Sequence, residues 1–368
     1  MLSESEGDSS RTYPVFRPIH SGRSIPADND TNLPESNVSA SVGMKVWHGL
    51  WLGLLVAVGL AGCDSYQEGA SHSLRERFTN RPVAKAGSPT DVSASSARPG
   101  PAQFPTAAEV QYRVDALPKA DVHWVVVPIR GFEVVPAIAD GLQPLPQFAE
   151  QPGTVAAINA GFFDPVNELT TSYAVQNGQL VADPRQNDRL VQNPSLTPYL
   201  PKILNRSEFR RYHCGEPGRE LDHYAIALHA DAIPPGCTLQ DAIGGGPRLL
   251  PRQTLEAEGF VDSATGRDAL GSTQPNARSA VGILPNGDIV LALAAQRPDA
   301  PNASGLSLEE LAEFLRSLGV VDAMNLDGGS SASLYVGGNV VFGRVDAEGN
   351  PVQRPVKSVL RVSPISNR

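Results

Sequence analysis

The chain has 368 residues, 41% of them hydrophobic, which suffices for one large core or two small ones. A formal net charge of -9, with no offsetting block of basic residues, excludes nucleic-acid partners on electrostatic grounds. Three cysteines are present, and an odd count in an exported chain asks which one stands apart.

Residues 1 to 43 are polar throughout, a composition unsuited to a core. A start codon assigned too early, with translation from Met44, accounts for them, and so does a true long leader. From Met44 the sequence reads MKVWHGLWLGLLVAVGLAGC: cationic Lys45, an apolar run from Val46 to Leu60, then small residues before Cys63. This predicts an export signal over 44–63. The run is shorter than the ~20 residues of a membrane-spanning helix. Leu60-Ala61-Gly62-Cys63 resembles a bacterial lipobox, in which Cys63 becomes the lipidated first residue, anchoring the protein in the cell envelope and facing the periplasm or exterior. A short anchor helix that merely contains a cysteine is the alternative. Residues 64–105, rich in Ser, Ala, Pro and Gly, read as a flexible tether.

From about Thr106 to the C-terminus, short apolar runs alternate with Gly, Pro and Asn, the signature of many strands joined by turns. The expected fold is a single α+β domain over 106–368, with mixed, mainly antiparallel sheets and a few covering helices. Val122–Val127 and Thr154–Ile158 read as strands. Asn177-Gly178 and Asn286-Gly287 each separate two β-prone runs and predict hairpins with type I′ turns. Pro184 to Arg219 between them reads as a long surface insertion. Ser307 with Glu310 forms a capping box that opens a helix, Leu308, Leu311, Ala312, Leu315 and Leu318 share a face, and Gly319 ends it. A strand over Val320–Leu326 and another from Ser333 to Val336 follow. Cys214 and Cys237, left over after Cys63, are expected to pair in an oxidising compartment, although two free buried thiols also satisfy the sequence.

Three glycine-containing clusters each end an apolar run: Asn159-Ala160-Gly161-Phe162-Phe163-Asp164, Gly244-Gly245-Gly246-Pro247-Arg248 and Asp327-Gly328-Gly329-Ser330-Ser331. Glycine lets backbone N–H groups approach a ligand closely, and successive N–H groups form anion-binding nests. Arg278, in NARSAVG, offers a planar charged fork to phosphate oxygens. Any one such cluster is ordinarily a tight turn; the set points to an anionic, polyhydroxylated ligand.

The ordered segments NAGFF, GGGPRLL, NARSAVG and LDGGSSASL resemble the signature of the phosphodiester glycosidase family, over about Ala157 to Val362. The resemblance implies hydrolysis of the bond between an anomeric carbon and a phosphodiester oxygen, releasing free sugar and a phosphomonoester, with no cofactor. On that basis Asp327 is expected to face the positive charge growing on the sugar ring, Arg278 to hold the phosphate, and Asn159 to donate to a hydroxyl or phosphate oxygen. Asn276 is expected to orient Arg278, and Gly245, Gly328, Gly329 and Ser330 to supply backbone N–H groups. Arg354 is either a second phosphate contact or part of a structural ion pair. The sequence departs from the family pattern at Ala160, at Ala277, in having two glycines after Asp327, and at Gln353, where the loss of an acid removes any general-base role for that position.

His213, His223 and His229 do not match a recurring metal-ligand spacing, so no metal is expected. No GxSxG segment marks a serine hydrolase. The alternative function is a carbohydrate- or polyanion-binding envelope lipoprotein that keeps the pocket without turnover, and a purely structural envelope protein is a third possibility.

Overall fold

The computed structural model describes residues 109–365 apart from 217, 219 and 220. The extension at 1–43, the signal with Cys63 and the tether at 64–105 lie outside these described residues. In chain order the strands are β1 (Gln111–Ala116), β2 (Asp121–Val127), β3 (Phe132–Gln143), β4 (Ala156–Asn159), β5 (Ala174–Gln176), β6 (Gln179–Ala182), β7 (Ser207–Cys214), β8 (Leu221–Leu228) and β9 (Cys237–Gly244). They continue with β10 (Arg248–Leu250), β11 (Val261–Asp262), β12 (Arg267–Asp268), β13 (Arg278–Ile283), β14 (Ile289–Ala295), β15 (Asp322–Asn325), β16 (Ser333–Val336), β17 (Asn339–Phe342) and β18 (Val356–Pro364). Among the described residues four short α-helices, α1 (Leu145–Ala149), α2 (Asp188–Val191), α3 (Leu200–Ile203) and α4 (Leu308–Ser317), and three 3-10 turns interrupt them.

Three larger sheets form, with strand orders β1-β2-β14-β13-β15-β10, β17-β16-β4-β18-β3 and β6-β5-β9-β7-β8, beside a β11-β12 ribbon. Every pairing between named strands is antiparallel, so the expected mixed sheets are antiparallel throughout. The helices are few, and α1 and α4 each cover a sheet.

The continuous apolar run of β14 is explained by burial on both faces. Leu291 and Leu293 join Val125 and Val127 of β2 in a central core that also takes Ile158, Ile243 and Leu360 from the other two sheets. Val290, Ala292 and Ala294 point the other way, with Trp124, into a second core closed by Leu308, Leu311 and Leu315 of α4. That helix begins with the expected capping box and is followed by Gly319 in the left-handed region. A smaller core lies between α1 and the second sheet, around Leu145, Phe148 and Val359.

Both predicted hairpins form, with different turns. Asn177 and Gly178 take positive φ values of 49° and 77°, as a type I′ turn requires. At the second hairpin only Gly287 is left-handed; the loop is longer, closed by Gly287 N–H to Leu284 O and Leu284 N–H to Asp288 O. Pro285 favours the first central position of an ordinary turn, which defeats the type I′ geometry there.

The expected insertion at Pro184–Arg219 is the larger correction. Its first half consists of short helical turns, but Ser207–Cys214 is β7, which lies between β8 and β9 in the third sheet. Its charged residues are buried and compensated: Arg211 meets Glu133, Asp222 and Asp241 at 2.6–3.1 Å, and Arg210 meets Glu208 at 2.8 Å. Cys214 and Cys237 are disulfide-bonded, joining the end of β7 to the start of β9 where the two residues lie opposite each other.

Candidate active site at the glycine turns

The three glycine clusters converge because β4, β9 and β15 end side by side. A Cβ on Gly245 would lie 2.8 Å from Asn325 O, closer than any Cβ can come without a shift, and one on Gly161 would lie a tight 3.1 Å from Gly244 O. Asp327 N–H donates to Ala160 O at 2.8 Å, tying the third cluster to the first. Gly328 packs as tightly: its Cβ would meet Ala277 O at 2.9 Å, which places the turn directly over the start of β13.

Asn159 is the bolt through this junction. Its Oδ1 accepts from Ser279 Oγ at 2.7 Å and Ser333 N–H at 3.0 Å, while Nδ2 donates to Asp327 O. The side chain is buried and engaged by three neighbouring segments, so its geometry serves to align strands rather than to meet a ligand.

Arg278 is likewise consumed by the fold. Its Nε donates to Leu306 O at 3.1 Å, Nη1 to Leu270 O at 3.1 Å, and Nη2 to Gly271 O at 2.7 Å and Gln274 O at 3.0 Å. Four carbonyls thus occupy four of its five donors, and the residue is only 3% exposed. Burial lowers its pKa to about 10, with Asp268 acting in the opposite sense. The expected phosphate fork is therefore a structural pin holding the loop before β13. Asn276 does not orient it: the Asn276 Oδ1 accepts from Ala277 N–H at 2.9 Å, and its amide faces Gly329. The N–H groups of Gly245 and Gly329 are also spent, on Ser207 O and Ala277 O.

What remains open forms a second group. Asp327 is a half-buried residue, and desolvation of its carboxyl raises the pKa to about 6. Ser331, the Arg354 charge and Gly328 N–H pull in the opposite direction. The buried Ser331 hydroxyl lies beside the carboxylate without completing a well-directed hydrogen bond. Arg354 donates from Nη1 to Ser330 Oγ at 2.9 Å, and its guanidinium lies 5.0 Å from the Phe163 ring centroid. Of the two roles the sequence allows Arg354, the ion pair is not formed with any described residue. Arg344, exposed just after β17, approaches the same turn, 3.9 Å from where a Cβ on Gly329 would sit.

A carboxylate, a cation and small flexible-backbone turns at converging strand ends suit an anionic sugar derivative. The family model for phosphodiester glycosidases matches residues 152–363, which contain all of these groups. The chain belongs to the phosphodiester glycosidase family. No sequence among curated proteins matches it. Among solved structures, the catalytic domain of zebrafish N-acetylglucosamine-1-phosphodiester alpha-N-acetylglucosaminidase, auto-inhibited by its pro-peptide, is similar in fold. It has 18% identity and a TM-score of 0.52, with 69% of this chain and 83% of that one covered. A hypothetical protein from Synechocystis aligns at 21% identity and a TM-score of 0.45, over 69% of this chain and 61% of its own length.

The structure brings Asp327, Gly328, Ser330 and Arg354, all named from the sequence, to one turn, together with Phe163 and Arg344, which the sequence did not single out. Phe163 was visible inside NAGFF, beside the residue that drew attention. Arg344 stands in no motif and is brought to the turn only by tertiary structure. Two of the three histidines are engaged as hydrogen-bonded pairs, His213 Nε2 with Asp222 at 2.9 Å and His229 Nδ1 with Glu208 at 2.6 Å, while the His223 ring stacks near Tyr212.

Proposed function

We propose that the protein hydrolyses a glycosyl phosphodiester, with the sugar ring over Asp327 and the phosphate toward Arg354. The observation that carries this is the pairing of a carboxylate whose pKa is raised to about 6 with an arginine that has no acidic partner within ion-pair distance, on the same glycine turn. Water attacks the anomeric carbon as its bond to the phosphate oxygen breaks. The bonding pair leaves with the phosphate, and the water proton passes to the Asp327 carboxylate. A diester carries one negative charge and the departing monoester nearly two, so the leaving group is stabilised by cation more than by proton donation. This accounts for a site that works without the second acid of an ordinary glycosidase, and for the tolerance of Gln353 where the family pattern has an acid.

Incubating the purified chain with a panel of glycosyl phosphodiesters and measuring both free sugar and phosphomonoester tests the reading. Equimolar release by the wild type, absent in Asp327→Asn, is expected. Tight binding across the panel without release would favour a non-catalytic carbohydrate- or polyanion-binding protein.

We also propose that the protein works in the cell envelope, anchored by lipid on Cys63. The signal pattern over 44–63 supports this, and a disulfide is compatible with an oxidising compartment. Mass spectrometry of the membrane-bound form should find diacylated Cys63 as the first residue; peptides from Ser3 to Arg23 would contradict it.

A further inference from the structure

The loop between β17 and β18 closes on itself. Val345 and Pro351 form an isolated bridge, Asp346 accepts from Asn350 N–H at 2.8 Å, and Val352 N–H donates to Arg344 O at 2.8 Å. These contacts draw together the two feet of the loop, and each foot carries an arginine, Arg344 on one and Arg354 on the other. Both meet consecutive residues of one turn. Arg354 bonds Ser330 Oγ, and the Arg344 guanidinium lies 3.9 Å from the position of a Cβ on Gly329, where the Asn276 amide nitrogen lies 3.8 Å away. Gly329 is left-handed at φ 58°, so this space stays free of side chain.

The guanidinium of Arg344 is exposed and has no hydrogen bond, carboxylate or aromatic ring as partner among the described residues. Two cations thus reach one turn whose carboxylate, Asp327, can offset only one of them, which leaves the turn with an excess of positive charge. Holding both at a single glycine turn is useful if a doubly charged anion completes the set.

We propose that Arg344 and Arg354 form a two-armed clamp that distinguishes a phosphomonoester dianion from a phosphodiester monoanion. This rests on the reading of the turn as a sugar-phosphate site and gives Arg344 a part in it. The second negative charge appears as the glycosidic bond to phosphate breaks. A clamp matched to two charges binds the transition state and product more strongly than the substrate. The same preference makes the enzyme subject to inhibition by its own phosphomonoester product.

Equilibrium binding to the full chain at pH 7.5 separates the charge states without any need for turnover, using methyl phosphate and dimethyl phosphate as probes. Methyl phosphate should bind at least tenfold more tightly than dimethyl phosphate. Arg344→Ala should lower methyl phosphate affinity at least tenfold and narrow that preference, with Arg344→Lys intermediate because it keeps charge and loses the fork. Arg344 is exposed, so melting temperatures are expected to stay unchanged and report that each variant is folded. Equal affinity for the two esters, no measurable binding of either, or unaltered methyl phosphate binding by folded Arg344→Ala would overturn the clamp. If the preference holds while no glycosyl phosphodiester is hydrolysed, the clamp stands and the proposed turnover fails. If turnover is found and Arg344→Ala leaves its rate and product inhibition untouched, the clamp alone fails.

Discussion

Two arginines approach the Gly328–Ser330 turn, and their surroundings differ in one respect that decides what each can do. Arg278 reaches within 3.8 Å of the space beside Gly328, but four of its five donors are taken by backbone carbonyls. Arg354 has one hydroxyl and one aromatic ring as neighbours. Both are Arg in a glycine-rich context, and in the sequence Arg278 looks the better ligand. A charge already neutralised by fixed dipoles has little left to offer a phosphate, whereas a cation with spare donors facing a turn remains available.

The largest effect should come from the carboxylate at the same turn. Asp327→Asn is expected to lower kcat at least a hundredfold, about 3 kcal/mol of transition-state stabilisation, with little change in KM. Stability should move the other way. The folded carboxyl has a pKa of about 6 against an ordinary value of 3.8, so the folded protein holds the extra proton between these limits. Stability from this group is therefore greatest below the unfolded value and falls as pH rises toward 6. The Asn variant lacks that dependence and should melt no lower than wild type at pH 7. As a base Asp327 must be ionised, so kcat/KM should rise with pH through about 6. A profile flat from pH 5 to 7 would remove it from that role.

Arg278→Met comes next and should act on stability, by about 4 kcal/mol, because it strands buried carbonyls that the guanidinium had satisfied. Urea denaturation reads the loss. If the variant keeps its stability but loses phosphate binding, the two arginines have been assigned the wrong way round.

Replacing Cys214 and Cys237 together by Ser should cost about 3 kcal/mol in the chain-entropy model. The disulfide closes the end of the third sheet, and kcat of the folded fraction should not change. A change in kinetics comparable to that of the turn variants would mean that this sheet bears directly on the site.

The same contrast explains what the sequence disclosed. β2, β14 and α4 were legible because burial on both faces leaves a run of apolar residues, and because a capping box is a local signal. β7 was not legible: SEFRRYHC reads as surface until Glu133, Asp222 and Asp241, each distant in sequence, are seen to neutralise Arg211. The turns and Asp327 stood out because glycine and acid are adjacent in the chain. The engagement of Arg278 could not be read, since four carbonyls that carry no side-chain signature decide it. The partners of Asn159, a serine hydroxyl, a backbone N–H and a backbone carbonyl, were hidden for the same reason.

The smallest change in stability is expected for Arg354→Met, and it is the most direct test of the comparison. The substitution removes one hydrogen bond to Ser330 and a cation over Phe163, both partly open to water, so stability should stay within about 1 kcal/mol of wild type. Met retains apolar contact with the ring while abolishing charge, which separates packing from electrostatics. Removing the cation also removes one influence that lowers the Asp327 pKa, so the rising limb of kcat/KM should shift to higher pH. Substrate binding and leaving-group departure should both weaken, raising KM and lowering kcat together. Arg278→Met, by contrast, should leave the limb in place and lose stability. Should Arg354→Met unfold the protein while leaving the pH profile of any residual activity unmoved, Arg354 would be the structural arginine, and the phosphate would have to be sought elsewhere on the turn.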